Sequence, residues 1–304
     1  MIRFWYEMAR KYKKSGKKIW SLIYKVGKAY VNIFFPLVSC FKQQKGIDEN
    51  GEIVVSLTSY PARINTVWIT ISSLLQQTLK PQKVILWLAK EQFTDCKIPK
   101  NLKRLGKRGL EICFCDDLKP HKKYYYAMQT YPESIIVTAD DDIIYPENHL
   151  AKLWEAYLEN PQCVSCLAFQ KIKVKDDDFE IYKKWPVDPN VKNPGMLILP
   201  IGANGVLYPP GSLDKELFNI EIIRKDTLYT DDLWLRCMGI KKNTPVYVAD
   251  IMSIAYFNIV QTMKTGLWKT NVQDYGRNDK SWALLMKDFP DIKDKIIKIS
   301  LLEE

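Results

Sequence analysis

The chain has 304 residues, 47% of them hydrophobic and 26% charged, with 13 Gly and 16 Pro. Those fractions exclude a disordered or collagen-like chain and leave apolar mass for one large core or two small ones. The net charge of +10 is concentrated, because residues 1–45 hold eleven Lys and Arg against one acid, Glu7, and the remainder is balanced.

Within residues 1–35, Met8, Tyr12, Ile19, Ile23, Val26, Tyr30 and Ile33 recur at three- to four-residue steps, interrupted at Ser15 and Gly16. Most lysines fall on other faces. The spacing predicts a basic amphipathic helix or helix pair over residues 1–45, stopped by Pro36. Three readings compete for this leader. It lies on an anionic membrane, where each Lys or Arg is worth about 1 kcal/mol and Trp5, Trp20 and Tyr24 suit the interface. It packs on the body with a solvated lysine face. Or it binds nucleic acid, which the balanced remainder disfavours. The first is taken as the expectation: a cytoplasmic protein, peripheral on the inner face of the cell membrane, with no nucleic-acid partner. No apolar run reaches the roughly 20 residues that span a bilayer, and no secretory signal is expected.

From residue 52 strand and helix patterns alternate. Strands are expected at Ile53–Leu57, Lys83–Leu88, Leu110–Cys115, Ser134–Ala139 and Cys163–Phe169. Helices are expected at Asn65–Gln77, Lys122–Thr130 and His149–Leu158. The pattern implies an α/β domain over 52–304, a mainly parallel sheet with helices on both faces. Residues 171–200 are polar and read as a long loop or insertion bordering a site. Gly202–Pro210 reads as a turn, a strand and a stop, Asp231–Met238 as a helix and Pro245–Ala249 as a strand. Of the seven Cys, Cys113, Cys115, Cys163 and Cys166 fall in apolar runs and are expected as buried, reduced thiols rather than zinc ligands.

In such sheets ligands sit beyond the carboxyl ends of the strands. There the fourth strand runs into Asp140-Asp141-Asp142. Carboxylates this close raise one another's pKa, and a hard divalent cation relieves them. Extended backbone would aim Asp140 and Asp142 one way, at the metal, and Asp141 the other. The competing reading is an acidic cap on the helix that follows. Asp176–Asp178, with no strand before it, is expected to be a solvated loop.

Four segments in order, SLTSYPARI, ADDDIIYP, GANGVLYPP and TDDLWL, resemble bacterial glycosyltransferases of the GT-A (Rossmann-like) fold, of the family 2 type that builds cell-surface polysaccharides. The resemblance covers about residues 52–280. It implies a nucleoside-diphosphate-sugar donor, UDP-sugar first, bound through Mn²⁺ or Mg²⁺ on Asp140 and Asp142. Asp140 and Asp141 belong to the nucleotide motif. It further implies Asp232 as catalytic base with Asp231 beside it, and Thr58, Tyr60 and Arg63 at the nucleotide. Asp117 and Lys123, with Asp116 and Lys122, are further nucleotide candidates, and Gly202, Asn204 and Gly205 suit close approach to a sugar or simply a tight turn. The implied reaction is inverting transfer to a hydroxyl of a lipid-linked oligosaccharide or polysaccharide. Alternatives are a non-catalytic nucleotide-sugar- or carbohydrate-binding partner and a metal-dependent nuclease or nucleotidyltransferase. The chain departs from the family in lacking a suitably spaced acid after the second strand (Glu91 is misplaced) and a late His. Asn271, Asn278 and Asp279 are the substitutes for the His, and Trp268 and Trp282 are expected in the core.

Overall fold

The apolar runs and helical periods build one central sheet. The computed structural model describes residues 1–94, 96–265 and 276–303. In chain order the elements are α1 (Ile2–Lys14), α2 (Trp20–Ser39), β1 (Ile53–Thr58), α3 (Val67–Leu74), β2 (Lys83–Ala89), α4 (Lys100–Arg104), β3 (Leu110–Cys115), α5 (Lys122–Thr130), β4 (Ile135–Ala139), β5 (Ile143–Ile144) and α6 (His149–Glu159). Then follow β6 (Val164–Cys166), β7 (Phe169–Lys171), β8 (Val174–Lys175), β9 (Asp178–Phe179), β10 (Ile198–Pro200), β11 (Val206–Tyr208), α7 (Ile220–Ile222), α8 (Asp231–Lys241), β12 (Val246–Val248), β13 (Phe257–Asn258), α9 (Arg277–Asp288) and α10 (Pro290–Glu303).

The main sheet has seven strands in the order β12-β6-β11-β4-β1-β2-β3. Pairings are parallel except at β11, which runs antiparallel to both β4 and β6. The expected α/β architecture is therefore present. Alternation along each strand feeds two faces. Ile53, Val55 and Leu57 of β1 join a core with Val137 of β4 and the inner residues of α3 and α6. Val54 turns the other way, to Ile85, Ile136 and Ala127 of α5. A further core under α8, α9 and α10 holds Trp234, Leu285, Ile292 and the inner side of β6. Burial on both faces is why β1 reads as a continuous apolar run.

Three expectations need correction. The run 163–169 is two strands: β6 stays in the main sheet, whereas β7 leaves it to pair with β10. The polar segment 171–200 is structured, containing the hairpin β8–β9 and β10. Pro36 lies inside α2. The helix continues because Phe35 and Ser39, either side of it, are buried, and Gln76 donates to Ser39 Oγ at 3.1 Å. Asp176–Asp178 is exposed at the hairpin turn, as expected. Cys115, Cys163 and Cys166 are buried, Cys113 is half-buried, and all seven Cys are free. Trp282 is buried against Phe179 and Trp185; Trp268 lies outside the described residues.

The leader folds as a pair of helices whose inner side, Ile2, Tyr6, Ala9, Val31 and Phe35, merges with the main core. Gly27 permits the close crossing: a Cβ there would lie 2.8 Å from Trp5 Cβ. Polar contacts fix the docking. The amino terminus meets Glu147 at 2.7 Å, Arg10 meets Asp250 at 2.6 Å, and Lys152 meets Glu7 at 2.7 Å. Among the described residues no helix is long and apolar enough to cross a membrane.

Gly205 has φ +76°, and a Cβ there would lie 2.6 Å from His149 Cε1. His149 itself is fully buried beside Tyr145 and Tyr256. Gly205→Ala is expected to cost about 2–4 kcal/mol from backbone strain and overpacking together, read by urea unfolding. Burial also pushes the His149 imidazole down to about 3. A histidine held neutral in the fold contributes its full stability above its unfolded pKa of about 6.5 and loses it as pH falls. Moving from about pH 7 to pH 5 should remove about 2 kcal/mol through this residue. The same pair of urea curves for His149→Gln should show a correspondingly smaller drop.

Candidate functional site

Topology gathers the site at one edge of the sheet. β4 ends at Ala139, flanked by Leu57 of β1 and, one residue back, by Val206 opposite Thr138. Because β11 runs backwards, the turn that precedes it, Gly202–Asn204, arrives where β4 leaves. The first turn of α8 brings Asp231 and Asp232, and the first turn of α5 brings Lys123. α5 is held against β1 by the Ser56 hydroxyl, which donates to the Lys123 carbonyl.

Lys123 is the hub. Its Nζ lies 2.7 Å from Asp140 Oδ1 and 2.9 Å from Asp231 Oδ2, and its side chain is 6% exposed. The Gly202 amide donates to Asp232 Oδ2 at 3.2 Å. A Cβ on Gly202 would sit 3.0 Å from Asp232 Oδ1, 3.3 Å from Lys123 Nζ and 3.8 Å from Asp140 Oδ1, so glycine lets these groups converge. Burial favours protonation of both α8 carboxyls, but they separate. The Lys123 ammonium holds Asp231 below its ordinary value. Burial and the adjacent Asp231 push Asp232 up to about 8. His121 is buried, with Nε2 2.7 Å from the Thr227 carbonyl and Nδ1 2.7 Å from Tyr124 Oη. A carbonyl only accepts, so Nε2 carries the proton and Nδ1 accepts from the tyrosine.

The acid triplet does not alternate as extended backbone would. β4 stops at Ala139 and residues 141–142 form a turn before β5. Asp141 and Asp142 share Arg63, which ion-pairs with Asp141 and reaches Asp142 Oδ2 at 3.1 Å through Nη2. Asp140 faces the other way, toward Lys123. Ser59 donates to Asp141 at 2.5 Å, and Thr70 donates to the Asp141 carbonyl at 3.0 Å. The Asp140 amide donates to Tyr145 Oη at 2.9 Å. Burial, only partly offset by Arg63, lifts the Asp142 carboxyl to about 6.

The other sequence candidates fall around this centre in different ways. Arg63 and Tyr60 stack at 5.7 Å, and the guanidinium faces carboxylates of its own chain. Thr58 donates to the Trp87 carbonyl at 2.8 Å. Asp117 belongs to a separate cluster with Lys122, Lys119 and Gln92; burial opposes its ionisation, but Lys119 and Lys122 pull it down to about 2. Asp116 is exposed, 3.8 Å from Lys90. Gly202 is at the centre, whereas Asn204 braces Ile254 and Tyr256 and Gly205 packs on His149. Asn278 hydrogen-bonds the Tyr182 side chain, and Asp279 accepts from the Tyr182 amide at 2.7 Å. Asn271 lies outside the described residues.

In the segment 171–200, burial and then the charge of Asp232 raise the pKa of Tyr182. Sequence reasoning missed Ser59, Thr70, His121, Tyr145 and Tyr182. Ser59 and Tyr145 stood within singled-out motifs, SLTSYPARI and ADDDIIYP. A cavity of about 360 Å³ lies beside the site rather than in it, between residues 178–185 and α9.

Among the described residues no three His, Cys, Asp or Glu side chains are grouped to hold a metal by themselves. Asp140 and Asp142 are nevertheless hard oxygen donors at the strand end, with side chains 32% and 18% exposed. Mg²⁺ characteristically takes one or two carboxylates and completes its shell with phosphate and water. Each of the two is a donor of the kind such an ion takes, but Asp140 turns to Lys123 and Asp142 to Arg63, so among the described residues neither belongs to a cage made by protein alone.

No family model and no curated protein matches the chain. Solved structures resemble it at low identity. Residues 1–349 of S. aureus TarS are 14% identical, with a TM-score of 0.41, covering 67% of this chain and 59% of that one. The same TarS fragment in complex with UDP has a TM-score of 0.43. The mannosyltransferase PcManGT from Pyrobaculum calidifontis, in complex with GDP-Man and Mn²⁺, is 13% identical, with a TM-score of 0.47, covering 88% of this chain and 78% of that one. The chain thus spans 59% of the TarS fragment's length.

Removing Lys123 leaves Asp140 and Asp231 without their shared cation. Lys123→Met should destabilise the fold by about 3–5 kcal/mol in urea near neutral pH. Adding Asp231→Asn should recover part of that loss, because it removes a charge the single variant leaves buried and unpaired.

Proposed function

We propose that the chain is a metal-dependent glycosyltransferase. It moves a sugar from a nucleoside-diphosphate sugar, UDP-sugar first, to a hydroxyl of a lipid-linked oligosaccharide or polysaccharide. The observation that carries this reading is the convergence of Asp140, Gly202 and Asp231–Asp232, from three chain segments, around Lys123 at the carboxyl edge of a mainly parallel sheet. These segments hold three of the four motifs that resemble the GT-A enzymes, and Arg63 of the fourth adjoins them through Asp141 and Asp142.

In this reading Asp232 is the base. Its carboxyl is lifted toward the working pH, where a proton acceptor is most effective. Burial lifts it first, and Asp231, kept ionised by Lys123, adds its negative charge to that effect. The acceptor oxygen forms a bond to the anomeric carbon and gives its proton to Asp232. The bond from that carbon to the diphosphate breaks, and the electron pair leaves with the nucleoside diphosphate. Attack opposite the leaving group inverts the anomeric centre. Asp140 and Asp142 would hold Mn²⁺ or Mg²⁺, whose chemistry is Lewis-acid stabilisation of charge on the leaving diphosphate. Arg63 and Lys123 keep the surrounding carboxylates ordered.

Asp232→Asn should lower turnover by at least about 100-fold while nucleotide-sugar binding persists, measured by product formation and by thermal shift. A rate near that of the unaltered protein would remove the base assignment. Asp142→Asn should abolish the additional thermal shift that Mn²⁺ gives in the presence of nucleotide sugar. Release of nucleoside diphosphate identifies glycosyl transfer, release of pyrophosphate identifies nucleotidyl transfer, and binding without turnover identifies a carbohydrate-binding partner.

A further inference from the structure

The face of α2 opposite its docking side is apolar and open. Gly27, Val31, Phe35 and Ser39 turn inward. Outward, Leu22 is 60% exposed, Ile33 and Leu37 59%, and Phe41, just past the helix, 85%; Phe4 of α1 adds 60%. Such a ridge on a 20-residue helix is far more apolar surface than isolated exposed side chains would give. The two helices and their ends also carry Lys11, Lys14, Lys18, Lys25 and Lys42, all exposed, with Lys25 one turn from Leu22 on α2. The single acid of residues 1–45, Glu7, is engaged by Arg10 and Lys152, so it does not neutralise these lysines.

We propose that the outer face of the α1–α2 pair docks on an anionic lipid bilayer, lying in the headgroup plane. An apolar stripe on a helix pair that carries exposed lysines is complementary to acyl chains beneath and anionic headgroups beside it. A protein partner would need matching acids, and a second copy of this chain would bring the same lysines against its own. The leader is thus both a packed part of the body and a membrane surface. The inner side of α2 connects this surface to the acid triplet. Asn32 bonds the Asn258 carbonyl at 3.1 Å and accepts from the Val260 amide at 2.9 Å. β13 pairs with β5, directly after Asp142. Lys28, reaching Met263 Sδ at 3.4 Å, also feels the charge of Asp142. Docking therefore holds the carboxyl edge of the sheet beside the bilayer. That a lipid-borne acceptor benefits from this rests on the proposed transfer reaction; the docking does not.

The test is co-sedimentation of the full chain with phosphatidylcholine vesicles, with and without about one-third phosphatidylglycerol, in ~0.1 M and ~0.5 M NaCl. Binding should require the anionic lipid and weaken in the higher salt. Replacing Leu22, Ile33 and Leu37 together by Ser should weaken it at least about tenfold. Lys14→Gln with Lys18→Gln and Lys25→Gln should reduce the preference for anionic over neutral vesicles, and circular dichroism melting reports whether either variant is folded. Failure to bind anionic vesicles overturns the proposal. So does binding unaffected by both folded variants, or a concentration-dependent dimer in sedimentation velocity that the Ser variant abolishes. No donor is present in these assays, and turnover of a water-soluble acceptor is read separately, so loss of one result leaves the other intact.

Discussion

An ammonium group buried between two carboxylates from opposite halves of the chain is the constraint on which the site depends. Asp140 and Asp231 are ninety-one residues apart in sequence, yet Lys123 reaches both within 2.9 Å. Without it the ends of β4 and α8 would bring like charges together in a medium that screens them poorly. The same cation creates the difference between neighbours on α8: it is nearer to Asp231, which stays ionised, and Asp232 then meets a fixed negative charge. Arg63 does equivalent work for Asp141 and Asp142. Two internal cations thus organise five acids.

Charge is sorted by direction in the leader as well. Inward-facing groups are paired across to the body, through the amino terminus with Glu147, Arg10 with Asp250 and Glu7 with Lys152. Outward lysines have been left to solvent. The apolar residues also divide by direction, Ile2, Tyr6, Ala9, Val31 and Phe35 inside and Phe4, Leu22, Ile33 and Leu37 outside. This is why the periodicity of residues 1–35 supported both a packed helix and an interfacial one: the sequence carries two apolar faces on one helix.

Strands buried on both sides were legible because their runs are uninterrupted, and β3 and α5 have the boundaries that periodicity predicts. The run 163–169 misled because apolarity says nothing about which sheet a strand joins. Pro36 misled because a local backbone rule was overridden by burial of Phe35 and Ser39. At the site, the acids and Gly202 stood out as residue types at strand and helix ends. The partners of Asp141, by contrast, are Ser59 and Arg63 from the loop after β1 and Thr70 of α3, brought there by the pairing of β1 with β4 and by the packing of α3. The direction of each triplet carboxylate was illegible for a related reason: side chains alternate only while the strand lasts, and β4 ends one residue too soon.

The reversal of β11 has a consequence for the excursion between β6 and β11. Residues 167–205 leave the sheet at the carboxyl end of β6 and return at the start of β11, both on the edge that holds Lys123. The excursion is therefore a handle with both attachments on one rim. Its far end, the β8–β9 turn at Asp176–Asp178, can change in length and composition without shifting the main ladder, whereas its return is pinned, Asn193 and Gly195 to β12 and Gly202 to Asp232.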